Sequence, residues 1–278
     1  MMQAWSSPNN SAMHPRRLDY LQIDGLSVRY QVGGHGPHVL LLHGWGGRIE
    51  SFIPLSNDLM RSHTVYAIDL PGFGDSTLPP VPWGSAEYAQ LTLAVMDRLQ
   101  LAKPHIIAHS FGGQVVIHLA AARPERLGKL ILVGSAGIRA PRTVKAHLKR
   151  LISRTGGWAS TYGGSVGKRL RDALYRRIQS QDYANAGPLR PILVKVVNED
   201  LRGLLPHIKS PTLLVWGEQD REVPLAAAQV MARLIPGAQL VVLENAGHFP
   251  YLDQFDRFRL VVGRFLRHHY EQPESASV

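Results

Sequence analysis

Ala108-His109-Ser110-Phe111-Gly112, followed by Gly113, lies between the short apolar run His105 to Ala108 and the helical pattern Gln114 to Ala122. A serine hydroxyl is a poor nucleophile until a base takes its proton, and the oxyanion formed on attack needs donors already in place. A sharp strand-to-helix turn meets both needs. It lifts the serine off the sheet and aims the next backbone N–H at the developing charge, and it tolerates only small residues two before and two after. Ala108 and Gly112 are small, and Gly113 allows the helix to approach the sheet. The literal Gly-x-Ser-x-Gly string is elsewhere, at Gly163-Gly164-Ser165-Val166-Gly167. It follows no apolar strand and sits in a basic, glycine-rich stretch, so it reads as a loop. Ser110 is the candidate nucleophile.

Outward from this turn, short β-type runs alternate with longer helical patterns, as in a mostly parallel sheet with helices on its faces. Leu18 to Ile23 and Leu26 to Gln31 read as a hairpin closed by Asp24-Gly25. Val39 to Leu42, Val65 to Leu70, Leu130 to Val133, Thr212 to Trp216 and Gln239 to Leu243 read as further strands. Tyr88 to Leu101, Leu225 to Leu234 and Phe255 to His268 carry apolar residues at helical spacing. After Gly137 the strand signals vanish for about seventy residues and basic helical stretches take their place. The expected organisation is one α/β domain, residues 1–137 and 210–278, interrupted by a helical insertion over 138–209.

The chain has 278 residues, 45% of them apolar, enough for one sizeable core. It contains no cysteine, which excludes disulfides, thiolate metal sites and a cysteine nucleophile. No run of eighteen uncharged apolar residues is present, so no membrane span is expected. Met1 to Arg17 is polar and does not read as a secretory signal, which makes cytoplasmic residence the expectation. The net charge of +10 is confined to one region: Ile138 to Lys209 holds fifteen Lys/Arg against four Asp/Glu, and the remainder holds sixteen against seventeen. Such a segment is either a solvated helical face or a landing surface for an acidic carrier protein, an anionic substrate or a membrane. No nucleic-acid-binding motif accompanies the charge. Gly-x-x-x-x-Gly-Lys-Ser/Thr and His-Glu-x-x-His are both missing, so neither a nucleotide nor a metal cofactor is implied.

Two later segments supply an acid and a base. Val215-Trp216-Gly217-Glu218-Gln219-Asp220 closes one strand, and Glu244-Asn245-Ala246-Gly247-His248-Phe249-Pro250 closes the next. Both fall at the carboxyl ends of parallel strands, where sites form in open α/β sheets. Ser110, Asp220 and His248 follow the chain order nucleophile, acid, base of a strand–turn–helix serine hydrolase. Of thirteen histidines only His248 has this location; His43 is expected to brace its loop and His109 to fill the variable turn position. Glu218 and Glu222 flank Asp220 as competing acids, while Asp75, Ser76 and Ser135 read as loop and turn formers.

With these motifs in order, the chain resembles the α/β-hydrolase family over nearly its full length. His43-Gly44-Trp45-Gly46-Gly47 is similar to the family's oxyanion loop and Asp69-Leu70-Pro71-Gly72-Phe73-Gly74-Asp75-Ser76 to the loop that follows it. The resemblance implies an α/β-hydrolase fold, with the backbone N–H groups of Trp45 and Phe111 as oxyanion donors and residues 138–209 as a helical cap. Trp158 and Tyr162 would then line an acyl pocket or anchor the cap.

The implied chemistry is carboxylic ester hydrolysis of a small-molecule ester through an acyl-enzyme, with a Ser110–His248–Asp220 triad. Haloalkane dehalogenases and epoxide hydrolases of the family need an aspartate where Ser110 stands. Carbon–carbon hydrolases of ring-cleavage products share the serine, but have a longer oxyanion loop than His43 to Gly47. The oxyanion loop, the Leu70 to Gly74 loop and the basic cap are similar to those of esterases that act on pimeloyl methyl ester attached to acyl carrier protein. Non-enzymatic small-molecule receptors of the same fold form the contrasting class.

Overall fold

The computed structural model describes residues 16–139 and 186–267. In chain order the elements are β1 (Arg17–Ile23), β2 (Leu26–Gly34), β3 (His38–Leu42), α1 (Ile53–Leu59), β4 (Thr64–Ile68), α2 (Ser85–Arg98), β5 (His105–His109) and α3 (Phe111–Ala122). They continue with β6 (Leu130–Val133), α4 (Arg190–Val196), β7 (Thr212–Gly217), α5 (Leu225–Leu234), β8 (Gln239–Leu243), α6 (Pro250–Asp253) and α7 (Phe255–Arg267). The eight strands form one sheet in the order β1-β2-β4-β3-β5-β6-β7-β8. β2 pairs antiparallel with β1 and β4, and every pairing from β4 across to β8 is parallel. This is the expected α/β-hydrolase architecture.

The central strands are buried on both sides, which explains why they read as continuous apolar runs rather than alternating ones. Leu40, Leu42, Ile106, Ala108, Leu130, Leu132, Leu214 and Trp216 face α2, α3 and α5 in one cluster. Val39, Leu41, Ile107, Ile131, Val133, Leu213 and Val215 face α1 and α7 in another. Phe258, Val262, Phe265 and Leu266 bury one stripe of α7, the spacing of a single helical face. The sequence reading has no counterpart to α1: seven residues starting at Ile53-Pro54 are too few to establish a 3.6-residue period. The helix placed at Tyr88 to Leu101 begins earlier, at Ser85, where Glu87 accepts the Gly84 N–H. It ends earlier too, because Gln100 turns to φ 56°.

Of the insertion, residues 138–139 and 186–209 are described. Ile192, Leu193, Val196, Leu201, Leu205 and Ile208 join the cluster that contains α2 and α3. Polar ties reinforce the contact: Gln114 Nε2 donates to the Val196 carbonyl, and Ser85 N to Glu199 Oε1 at 2.9 Å. The expectations for Trp158, Tyr162 and the Gly163–Gly167 string lie outside the described residues. Among the described residues no helix is long and apolar enough to cross a membrane, and no group of three or more His, Asp and Glu side chains could hold a metal ion.

Asp69, at the end of β4, ties two loops together. Its fully buried carboxylate accepts N–H bonds from Ile49 at 2.7 Å and Asp75 at 3.0 Å, and pairs with Arg29 at 3.2 Å. Arg29 also binds Glu50 at 2.7 Å, and Glu50 is held below its ordinary pKa chiefly by that guanidinium. Removing Asp69 leaves the Ile49 and Asp75 N–H groups without their acceptor and takes the buried carboxylate from a guanidinium that is itself mostly out of water. Asp69→Ala is therefore expected to lower the unfolding free energy by about 3–5 kcal/mol in urea titrations. A loss below about 1 kcal/mol, the scale of an exposed pair, would show that these loops are held by other means.

Candidate active site

The carboxyl edge of the sheet collects the loops picked out by the motifs, because the register brings their strand ends together. Leu42 pairs with Ala108, so His43-Gly44 and His109-Ser110 leave the sheet side by side. A methyl group on Gly44 would lie 3.1 Å from Ser110 Cβ and 2.7 Å from His109 Nδ1, so only glycine fits there. On the other side, Ser110 N donates to the Val133 carbonyl and Ala136 N to the Ser110 carbonyl. A methyl on Gly112 would approach the Leu42 carbonyl oxygen to 2.5 Å, which bears out the need for a small residue two positions after the serine.

Ser110 has φ 49° and ψ −111°, a backbone conformation that costs a non-glycine residue on the order of 1–3 kcal/mol and persists only where the surroundings enforce it. α3 starts at the next residue, so the Phe111 N–H is one of the donors left without an intrahelical partner at a helix start. The Trp45 side chain packs edge-on against Phe73 at 5.0 Å and Phe111 at 5.7 Å, which fixes the oxyanion-like loop against the serine turn. His43 braces that loop as expected: Nε2 accepts the Leu70 N–H at 2.9 Å, leaving the proton on Nδ1 to bond the Gly44 carbonyl at 2.7 Å. Burial holds His43 below its ordinary pKa and thus neutral.

Asp220 and His248 meet. His248 Nδ1 lies 2.8 Å from Asp220 Oδ2, with both side chains almost entirely buried. The other Asp220 oxygen, Oδ1, accepts N–H bonds from Glu222 and Val223, each at 2.9 Å. The carboxylate can only accept, so the His248 proton sits on Nδ1 and the Nε2 lone pair is available. Of the competing acids, Glu218 is exposed, and exposed Glu222 places Oε2 3.5 Å from Nε2, on the opposite side of the ring from Asp220. The geometry therefore selects Asp220 as the partner of Nδ1. A methyl on Gly134, next to Val133 on β6, would lie 3.2 Å from His248 Nδ1 and 3.3 Å from Asp220 Oδ2, which puts the pair beside the strand that holds Ser110 N.

His248 follows β8, three strands from β5, or roughly 14 Å across the sheet. The loop after β8 folds back over β7, where Gln219 N donates to the Ala246 carbonyl. It then reaches β5, where His109 Nε2 lies 2.9 Å from the His248 carbonyl. A carbonyl only accepts, so His109 carries its proton on Nε2. The His109 ring is also 4.7 Å from the His248 ring and 5.2 Å from that of Tyr251. Sequence reasoning assigned His109 no more than the variable position of the turn; its contact with a residue 139 positions away has no local signature.

Residues 39–259 match the Alpha/beta hydrolase family. The chain is 28% identical over 264 residues to the dihydrolipoyllysine-residue acetyltransferase component of the acetoin cleaving system of Pseudomonas putida, covering 89% of this chain and 69% of that one. It is also 28% identical over 263 residues to the pimeloyl-[acyl-carrier protein] methyl ester esterase of Xanthomonas axonopodis pv. citri, covering 86% and 98%. Among solved structures, a bacterial membrane phospholipase A superposes with a TM-score of 0.72 at 26% identity, covering 90% of this chain and 86% of that one. The chain belongs to the alpha/beta hydrolase family and is an enzyme of that class.

Burial, with the His248 ring as the next cause, lowers the His109 pKa to about 3. In an unfolded chain the same imidazole titrates near 6.5. Below that pH the unfolded state binds a proton that the folded state refuses, so stability falls as pH drops from about 6.5 toward 3, by about 2 kcal/mol at pH 5. Urea unfolding at pH 7 and pH 5 is expected to show a smaller acid loss in His109→Gln than in the parent chain. Equal losses would remove His109 from this account.

Proposed function

We propose that this chain is a serine hydrolase of carboxylic esters, with Ser110 as nucleophile, His248 as general base and acid, and Asp220 as the group that orients His248. The observation that carries the reading is the buried 2.8 Å bond between His248 Nδ1 and Asp220 Oδ2 beside the Ser110 turn. It leaves Nε2 as the basic nitrogen, which is what proton removal from a serine hydroxyl requires. Ser110 attacks the ester carbonyl, and the Trp45 and Phe111 N–H groups receive the oxyanion. His248 then protonates the departing alcohol, and a water deprotonated by the same imidazole releases the acid. Both named relatives handle acyl groups, one by transferring acetyl and one by cleaving a methyl ester, which supports acyl chemistry over the carbon–carbon and receptor readings.

A second, narrower reading takes the ester from a carrier protein. The named methyl ester esterase, matched over 98% of its length, favours it, as does the excess of Lys and Arg in the 138–209 cap. An acidic carrier would dock on that cap and thread its acyl group toward Ser110.

Turnover of short-chain p-nitrophenyl esters should fall on the order of 10⁴- to 10⁶-fold in Ser110→Ala and about 10⁴-fold in Asp220→Asn, by analogy with serine proteases. Near-parental turnover in Ser110→Ala would sink the assignment. For the carrier reading, kcat/KM on a carrier-bound methyl ester should exceed that on the free ester and decline as salt rises. Equal, salt-insensitive rates on the two would oppose it.

A further inference from the structure

The opposite edge of the sheet holds a second feature that ester hydrolysis does not use. A cleft of about 890 Å³ opens at the amino ends of β4 to β7, between α7 on one side and α1 with the segment after it on the other. β5 spans five residues from His105 in this cleft to His109 beside the serine, so the two places are separated by roughly 13 Å of strand. A ligand here is not the molecule that Ser110 attacks.

The lining is cationic. Arg61, Lys103, Lys209 and Arg267 face the cleft, and none has an ion-pair partner among the described residues. Two more cations line it with their charge already engaged: Lys129 Nζ donates to the Phe265 and Leu266 carbonyls, and Arg259 pairs with Asp256. Asp58 is the single carboxylate in the lining. The field marks neighbouring groups: His105, in the same wall, is lowered to about 4 by burial and then by Lys129 and His63, so it adds no further charge.

A second observation is independent of charge. Ser210, also in the wall, is only 4% exposed, and its hydroxyl has no hydrogen-bond partner. An unbonded buried hydroxyl is costly, and a ligand oxygen that reached it through a small shift or a rotamer change of Ser210 is the kind of partner that would relieve it.

We propose that this cleft binds a small polyanion carrying at least two phosphate groups, at a site separate from the serine turn. Several uncompensated cations spread over a concavity of this size match more than one anionic group, and Lys, Arg and a serine hydroxyl are the donors that suit phosphate oxygens. The concave shape and the apolar Leu55, Leu59 and Leu266 in its walls suit a compact molecule rather than a flat bilayer or an extended strand. Because the ligand would bridge α7 to the strand ends, binding also stabilises the folded chain.

Calorimetric titration of the full-length protein with inorganic tripolyphosphate tests this. The expected result is saturable one-to-one binding, a rise in Tm with ligand concentration, and an affinity at least tenfold weaker in Lys103→Ala/Lys209→Ala, from the loss of two charge-assisted contacts. Both lysines are exposed, so the double variant should fold and turn over p-nitrophenyl esters at the parental rate. Ser210→Ala should weaken binding several-fold, and Arg233→Ala, on the surface of α5 outside the cleft, should not weaken it. The proposal falls if no saturation is reached at millimolar tripolyphosphate, if the double variant binds as the parent does, or if Arg233→Ala costs as much. It also falls if citrate binds as tightly, or if only RNA or anionic vesicles bind in a manner that depends on Lys103 and Lys209.

Discussion

The hydrogen bond from His109 Nε2 to the carbonyl of His248 joins the two ends of the proposed site, which the sheet by itself keeps apart. Ser110 leaves β5 and His248 follows β8, with β6 and β7 between them. A chain crossing that gap needs an anchor at its far end, and a buried, neutral imidazole is a stiff one. It cannot exchange its bond for water, and protonation is suppressed by its own burial. The same ring packs against His248 and Tyr251, so the position of His248 and the start of α6 are set together. Loosening it would release the loop that presents Nε2.

A comparable constraint operates on the other side of the serine. Gly44 and Gly112 pack so closely against the β3 and β5 ends that a methyl group has no room, and Asp69 holds the flanking loops through N–H bonds and the Arg29 pair. The strained backbone of Ser110 persists because its amide and carbonyl are both engaged by the β6 side. Thus the energetically unfavourable turn is enforced from two directions. In the proposed reaction such a turn would serve preorganisation, since donors and base must be in place before charge develops.

The two edges of the sheet also differ in character. The carboxyl edge presents buried carboxylates that each have a partner, Asp220 beside an imidazole and Asp69 beside Arg29, whereas the amino edge presents cations that are mostly uncompensated. In the linear sequence Lys103 and Arg267 are unremarkable surface residues, and Lys209 is one end of the basic segment. They share a cleft because parallel strands bring all their amino ends to one side, just as they bring the loops with chemical motifs to the other.

Local patterning alone determined a good deal: the strand and helix order, the small residues around Ser110, and the chain order of serine, acid and histidine. These follow from short-range sterics and periodicity, which neighbouring residues carry in themselves. Helix α1 was illegible because seven residues do not establish a period, and the preference for Asp220 over Glu222 came only from the family's Gly-x-x-Asp pattern, whereas the structure shows both carboxylates around one imidazole. The tertiary structure decided the Asp69–Arg29 tie, the reach of the β8 loop, the His109 contact and the cationic cleft. Each depends on groups 40 to 139 positions apart or on several strand ends at once, and such pairings arise only when sheet register brings distant backbone into contact.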